Sequence, residues 1–427
     1  MGDLSAFQKN ETETVSRIYA YWKAKGDAEP TRGYLGASII GHDCDRFLWF
    51  TFRNCITKTF TGRIYRLFNT GHREEPRFFQ ELRGIGCEVH GDEDEQIAVS
   101  AVAGHFSGHM DAVALGIPEA PKTWHLCEFK THSSKSFGKL QGDGVKKSKP
   151  MHYAQMMVYM GLGKMERAIY LAVNKDTDEL YSERIEFNSK EFKAIMTRAE
   201  RIIKSNAPPE RCTNRADDFR CKMCDASPLC WGTGETALPI PAKTCRTCCH
   251  STPEMDGDGK WGCVKKGKMQ PCGMHLILPQ LLTFADPIDA GDDWIKFENK
   301  SDKGQWVHGG SEGQWTTEEL MKTPVALVGV ATKVKEVLGA TVVGFEIPTL
   351  SLIDRYDPKD SRLLWEGSAD ADELEPFLTE LLKTPLSREV PTNKEDTDAT
   401  QAIEYRNQYL VVMYKESRYV AVWQGVE

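Results

Sequence analysis

The stretch Gly108-His-Met-Asp111-Ala-Val-Ala-Leu115 is followed, after a turn at Gly116 to Pro121, by Thr123-Trp-His-Leu-Cys-Glu128-Phe-Lys130-Thr131. His109 to Leu115 and Thr123 to Thr131 both read as strands. Successive strand side chains point to opposite faces, so Glu128 and Lys130 share one face and Phe129 takes the other. If the strands pair as a hairpin, Asp111 lies beside Glu128. Two carboxylates and one ammonium then meet at one point. Two hard oxygen donors suit Mg²⁺, which takes one or two carboxylates and keeps waters for a substrate phosphate. A lysine beside such a metal can hold an attacking water. Lewis acid, activated water and a cation against developing charge are the parts that phosphodiester hydrolysis needs. Glu-x-Lys on a strand is by itself a common surface pair, so the flanking elements carry much of the weight.

Upstream, residues 4–25 are amphipathic and predict a helix. Gly36 to Cys55 reads as a cap and a buried helix, with Cys44 near its start. Leu67 to Leu82 predicts another helix, carrying Gly71, His72, Glu74 and Glu75. Downstream, Pro150 to Met160 carries Gln155 and Tyr159 at i, i+4, on one helix face. From Lys122 to Lys149 runs a lysine-rich stretch, expected to be a loop after the strand, with Lys122, Lys130, Lys135, Lys139, Lys146, Lys147 and Lys149 against Glu128 and Asp143. Such a run can contact a phosphate backbone. Arg167 to Val173 and Leu180 to Phe187 read as strands, and Ser189 to Ser205 as a helix.

Asp111, a gap, then Glu128-x-Lys130 resembles the motif of the PD-(D/E)XK nuclease superfamily. Within it, the chain is similar to RecB-like and CRISPR-associated adaptation nucleases and phage exonucleases, over about Leu35 to Trp231. The resemblance implies an α/β, restriction-endonuclease-like core, a mixed sheet flanked by helices. It implies Mg²⁺ or Mn²⁺ on Asp111, Glu128 and the Phe129 carbonyl, with Lys130 assisting the water. A glycine followed by a helix-borne glutamate is that family's first motif. Glu75 is the residue chosen for it, Glu74 the second choice, and His72 is not assigned. The helix after the lysine commonly carries Gln-x-x-x-Tyr, which Gln155 and Tyr159 match, and Gln155 would orient DNA or the lysine.

Thirteen cysteines in a chain expected to be cytoplasmic point to metal ligands rather than disulfides. Cys221, Cys224 and Cys230 form C-x₂-C-x₅-C. Iron-bearing members of the resembled group use this spacing for three ligands of a [4Fe–4S] cluster, and the fourth, from an N-terminal helix, would be Cys44. The alternative is a local zinc site with Cys212 in place of Cys44. Beyond Pro239, Cys245, Cys248, Cys263 and Cys272 read as a zinc ribbon, with Cys249, His250 and His275 as substitutes. A segment this short lacks core, so a structural metal is physically reasonable there.

At 427 residues the chain has room for two or three domains. The expected division is a nuclease domain with its cluster as a staple (1–238), a zinc-ribbon-like module (239–280) and a small α+β domain (281–427). In the last, Thr316 to Lys322 opens with a capping pattern, Val325 to Leu338 and Asp372 to Leu382 predict helices, Pro391 to Thr400 a polar loop, and Tyr409 to Trp423 a β-hairpin. Its acidity suits a replication or recombination protein as partner better than DNA. A net charge of −8 argues against a general nucleic-acid coat. No apolar run is long enough to span a membrane and no signal-peptide layout is present. No Gly-x₄-Gly-Lys-Ser/Thr loop and no Gly-x-Ser-x-Gly elbow occurs, so neither an ATP-driven helicase nor a serine hydrolase is expected. The reading is a metal-dependent DNA nuclease, an exonuclease on DNA ends or single strands, most like a phage-encoded replication or recombination enzyme. The competing class is a non-catalytic DNA-binding or recombination adaptor on the same fold.

Overall fold

The computed structural model describes residues 12–56, 60–92, 96–232, 237–268, 272–310 and 315–323, shorter pieces between 325 and 336, and the strand backbones of 341–344, 362–366, 409–413 and 420–424. The chain divides into two compact units, one of residues 1–214 with 252–262, the other of 215–251 with 263–427. This differs from a division at 238 and 280. The segment 252–262 goes with the first unit because it docks there: Gly259 N–H donates to the Ala103 carbonyl at 2.7 Å, and His105 Nε2 lies 2.8 Å from the Glu254 carbonyl.

The first unit begins with α1 (Glu13–Asp27), β1 (Leu35–Gly36), α2 (Asp45–Phe52), α3 (Gly62–Gly84), β2 (Glu88–His90) and β3 (Ile97–Ala101). It continues with β4 (Phe106–Met110), β5 (Ala112–Leu115), β6 (His125–His132), α4 (Ser134–Ser148) and α5 (Pro150–Gly163), and ends with β7 (Arg167–Asn174), β8 (Leu180–Glu186) and α6 (Ser189–Lys204). Five strands form a mixed sheet, β2-β5-β6-β7-β8, in which β6 and β7 run parallel and the other pairs antiparallel. A smaller sheet has the order β1-β4-β3. The result is an α/β unit with mixed sheets flanked by helices.

Two expectations change. His109 to Leu115 is two strands, β4 and β5, which belong to different sheets, and Asp111 is the residue between them. Beyond the strand, the lysine-rich run is largely the helix α4, Ser134–Ser148. Gly138, Gly142 and Gly144 disfavour helix locally, but Phe137, Leu140 and Val145 are buried, and that packing outweighs propensity. Gly144 breaks the helix at φ 69°, and the next amide, on Val145, donates to Glu183 at 2.8 Å.

The face of β6 bearing Cys127 and Phe129 packs into a core with Phe78, Phe79, Leu82, Val89, Ala112 and Ile169. Phe129 lies against Phe78 with ring centroids 5.0 Å apart. This clamps α3 to the strand that carries Glu128 and Lys130. On α6, Arg198 ties down the start of α2 by bonding Asp45 and the carbonyls of Ile40 and His42.

In the second unit, Ala285–Ala290, Trp294–Asn299 and Gln305–Gly309 form a three-stranded antiparallel sheet. Thr316 and Glu319 cap the helix Thr317–Lys322 reciprocally, as the capping pattern predicts. Tyr409–Met413 and Val420–Gln424 pair antiparallel, as expected of the terminal hairpin. Asp372 to Leu382 and Pro391 to Thr400 lie outside the described residues, and Val325 to Leu338 is described only in pieces. Among the described residues no helix is long and apolar enough to cross a membrane.

Candidate active site

The β5–β6 register pairs Ala112 with Cys127, so Asp111 arrives opposite Glu128 as the chain leaves one sheet for the other. The Phe129 amide donates to Asp111 Oδ2 at 2.8 Å, fixing that carboxylate. Lys130 Nζ lies 3.4 Å from the same oxygen, pairs with Glu128 Oε1 and donates to the Phe129 carbonyl at 2.9 Å. Glu128 is fully buried, whereas Asp111 and Lys130 each remain about a quarter exposed or less. Burial pushes the Glu128 carboxyl up to about 8; the Lys130 ammonium opposes that shift, and Asp111 and Glu75 add to it. Burial works against the Lys130 charge, but Glu128 and Asp111 outweigh it and hold its pKa above the ordinary lysine range.

Whether these groups suit a divalent cation can be judged at Glu128. Both its oxygens are buried; Oε1 takes the ammonium of Lys130 and Oε2 has no hydrogen-bond partner. Buried carboxylate oxygens are normally satisfied, and a hard cation would satisfy Oε2. Asp111 and Glu128 with the Phe129 carbonyl form the small oxygen set that Mg²⁺ accepts alongside water.

Glu75, on α3, is half-buried and lies 3.5 Å from His72 Nδ1. Burial raises its pKa, and the Asp111 charge raises it further. Pro76 follows it inside the helix and lacks the amide that would bond the His72 carbonyl. Glu74 turns to Arg77 at 3.5 Å. An open cleft of about 470 Å³ lies here, lined by Phe68, His72, Glu74, Glu75, Lys130 and Thr131.

On α5, Gln155 and Tyr159 are buried and bonded to each other. Burial raises the Tyr159 pKa, and the charges of Glu128 and Asp111 add to this. The Tyr159 hydroxyl packs so tightly on Gly108 that a Cβ there would stand 2.5 Å from it, which explains the glycine of the opening stretch. Asp111, Glu128 and Lys130 thus meet directly, Glu75 lines the same cleft as Lys130, and the Gln155–Tyr159 pair feels the charges of Glu128 and Asp111.

Sequence reasoning missed a buried network behind Lys130. The Tyr170 hydroxyl lies 2.9 Å from both His132 Nε2 and His152 Nδ1. One ring accepts the hydroxyl proton and the other donates to the oxygen. Ser136 extends the chain from His132 Nδ1 at 3.3 Å and accepts from Lys149 at 2.6 Å. Burial, reinforced by nearby lysines, pushes His132 down to about 4 and His152 to about 3, so both rings are neutral at neutral pH. Strand alternation, Glu128, Lys130, His132, was the available signal.

Among the described residues, none of the cysteines is in a disulfide, and no three His, Cys, Asp or Glu side chains stand together as a ready metal cage. Cys44 belongs to the first unit, and Cys221, Cys224 and Cys230 to the second. Cys221 lies on the helical turn Phe219–Lys222, Cys230 on Ser227–Trp231, and Cys224 between them, its amide donating to the Cys221 carbonyl at 3.1 Å. Cys245, Cys248, Cys263 and Cys272 line one small cavity of the second unit, with His250. The Nε2 of His250 is buried there without a hydrogen-bond partner. His275 also lines the cavity, but it is bonded to Thr247, Thr317 and the Thr244 carbonyl.

No family model and no curated protein sequence matches the chain. Among solved structures, a protein titled SSO0001 is 15% identical with a TM-score of 0.31, covering 52% of this chain and 98% of that one. The alkaline exonuclease LHK-Exo of Laribacter hongkongensis is 16% identical with a TM-score of 0.28, covering 43% and 90%. Its complex with dAMP gives 16% and 0.29, covering 44% and 90%. The reading of the site rests on its own geometry.

Proposed function

We propose that the chain is a Mg²⁺- or Mn²⁺-dependent deoxyribonuclease of PD-(D/E)XK type, an exonuclease acting on DNA ends or single strands in phage replication or recombination. The observation that carries this reading is Glu128: a wholly buried carboxylate with one oxygen on the Lys130 ammonium and the other, Oε2, without a hydrogen-bond partner, beside Asp111 at the edge of an open cleft. Such a group is costly in a merely structural role. Asp111, Glu128 and the Phe129 carbonyl would hold the cation. A bound divalent ion supplies Lewis acidity to the phosphate and makes water a better nucleophile. Lys130 positions that water and stands against negative charge developing on the phosphoryl oxygens. Glu75 completes the acidic cluster, and its raised pKa suits it to accept the water's proton. Gln155, held by Tyr159, orients the lysine or the strand. Lys135 and Lys139, on exposed positions of α4, would meet the DNA backbone.

Two further metals belong to the same proposal. Cys44, Cys221, Cys224 and Cys230 would hold a [4Fe–4S] cluster, and Cys245, Cys248, Cys263 and Cys272 a structural zinc, with the cavity they share as support. Residues 281–427 would dock a replication or recombination protein. End-labelled single- and double-stranded DNA, incubated with and without Mg²⁺ or Mn²⁺, tests the central claim. Metal-dependent loss of label is expected. Intact DNA in every combination would overturn it.

A further inference from the structure

The cleft beside Lys130 has two unlike walls. Strand β6 contributes Lys130 and Thr131; helix α3 contributes His72, Glu74, Glu75 and Phe68. Phe68 is 45% exposed, although an aromatic ring gains by leaving water. Phe60 and Tyr65 hold it in place, perpendicular to its ring, at centroid distances of 5.0 and 6.2 Å. Phe68, His72 and Glu75 recur at i, i+4 and i+7, so they form one stripe of α3. About 10 Å of helix axis separates the ring from the carboxylate.

Charge decides what can lie on that stripe. Glu74 and Glu75 repel phosphate, and no cation on α3 is among the residues lining the cleft; Lys130 is the cation that does line it. A nucleic-acid backbone is therefore driven toward β6 and away from α3. A flat, uncharged base suffers no such repulsion and gains by covering an exposed ring. Resting on the nuclease reading, we propose that Phe68 is a base-stacking platform. An unpaired nucleobase of the strand whose phosphate lies at Asp111 and Glu128 stacks on Phe68, with His72 beside it. The cleft then selects single-stranded DNA or frayed ends over a closed duplex, because a paired base inside a stack has no free face to offer.

The test uses the full-length protein, first without divalent ions, and a single-stranded oligonucleotide carrying 2-aminopurine near its end. Phe68→Ala and Phe68→Leu should weaken binding about tenfold to a hundredfold and relieve 2-aminopurine quenching, as loss of one base–aromatic stack requires. Phe68→Trp should bind like wild type, and affinity for a blunt duplex should barely move in any variant. With Mg²⁺, kcat/KM on single strands should fall in the same order. Phe68→Leu binding single strands as tightly as wild type would overturn the proposal, as would equal losses on single strand and duplex. A wild-type protein that cleaves DNA while ignoring Phe68→Leu sinks the platform alone. One that neither binds nor cleaves DNA with Mg²⁺ or Mn²⁺ sinks the nuclease reading and the platform with it.

Discussion

Lowering the pH from about 8 to about 6 should weaken Mg²⁺ binding about fiftyfold, because a cation must displace the proton of Glu128. That carboxyl is completely buried and pushed up to about 8. With one proton displaced, affinity falls about tenfold for each pH unit below the pKa, or about 1.4 kcal/mol per unit. Starting at the pKa, where half the carboxyl is already ionised, two units give about 2.3 kcal/mol on the same scale. Stability of the metal-free protein has the opposite dependence. Glu128 ionises at 4.5 when unperturbed and at about 8 in the fold, so the folded state holds the proton more tightly. Stability from this group is therefore lost as pH rises between those values. Lys130, whose raised pKa favours the fold at every pH below the ordinary lysine value, adds no slope in this window. Glu128→Gln should thus gain on metal-free wild type as pH rises, while failing to bind the ion. Calorimetric titration of Mg²⁺ and Mn²⁺ across this range, in two buffers of different protonation enthalpy, measures both affinity and released protons. An affinity that stays flat, with no proton released near neutrality, would show Glu128 already ionised and refute the reasoning.

Asp111→Ala and Lys130→Ala should each lower cleavage by at least about a hundredfold, the usual cost of losing a charged group at a phosphoryl centre, with DNA binding largely kept; wild-type rates in both would misplace the active site. Anaerobically purified protein should be brown and carry four irons per cluster, and Cys221→Ala or Cys44→Ala should bleach it; a colourless, zinc-only protein removes the iron and makes Cys212 a ligand. Cys245→Ser and Cys272→Ser should each release the zinc measured by metal analysis and lower the melting temperature of the second unit; unchanged zinc in both variants would rule out those thiols as ligands.

Strand alternation was legible because it is a local rule: Glu128 and Lys130 share a face, and Phe129 turns to the core with Phe78 and Phe79. Asp111 was legible as a partner for Glu128 but not as a break between sheets. Nothing in His109 to Leu115 marks the break except the polar residue itself, and it is set by which neighbours the two halves pair with. Helix α4 was illegible for a related reason. Its glycines argue for a loop, and only the tertiary burial of Phe137, Leu140 and Val145 makes it a helix. The His132–Tyr170–His152 network joins three separate elements, so no window of sequence contains it.

The chain cut after Leu238 brings the domain boundary to a test. It keeps Glu75, Asp111, Glu128 and Lys130 but loses 252–262, which packs with the first unit. In that packing Trp261 is 5% exposed, 5.3 Å from the Phe52 ring, 6.0 Å from His105 and 5.0 Å from the Arg53 guanidinium. The turn it covers is strained: Val102 and Ala103 hold φ of 49° and 54°, in the left-handed region that side chains avoid. Gly104 and Gly259 meet so closely that a Cβ on Gly104 would lie 2.3 Å from the Gly259 nitrogen. Docking the segment 252–262 therefore offsets the strain of the turn as well as burying three rings. Losing a buried tryptophan costs about 3–5 kcal/mol, and at about 2–4 °C per kcal/mol for a unit of this size the melting temperature should fall by about 6–20 °C. Trp261→Ala in the full-length protein isolates that term, and the chain ending at Leu238 should melt at least as low. Calorimetry of both, beside cleavage of a short oligonucleotide well below the transition, separates stability from chemistry. The active-site residues are all retained, so cleavage should survive in whatever fraction is folded. If Trp261→Ala melts with wild type, the segment 252–262 is not part of the first unit and a boundary at 238 is the better one.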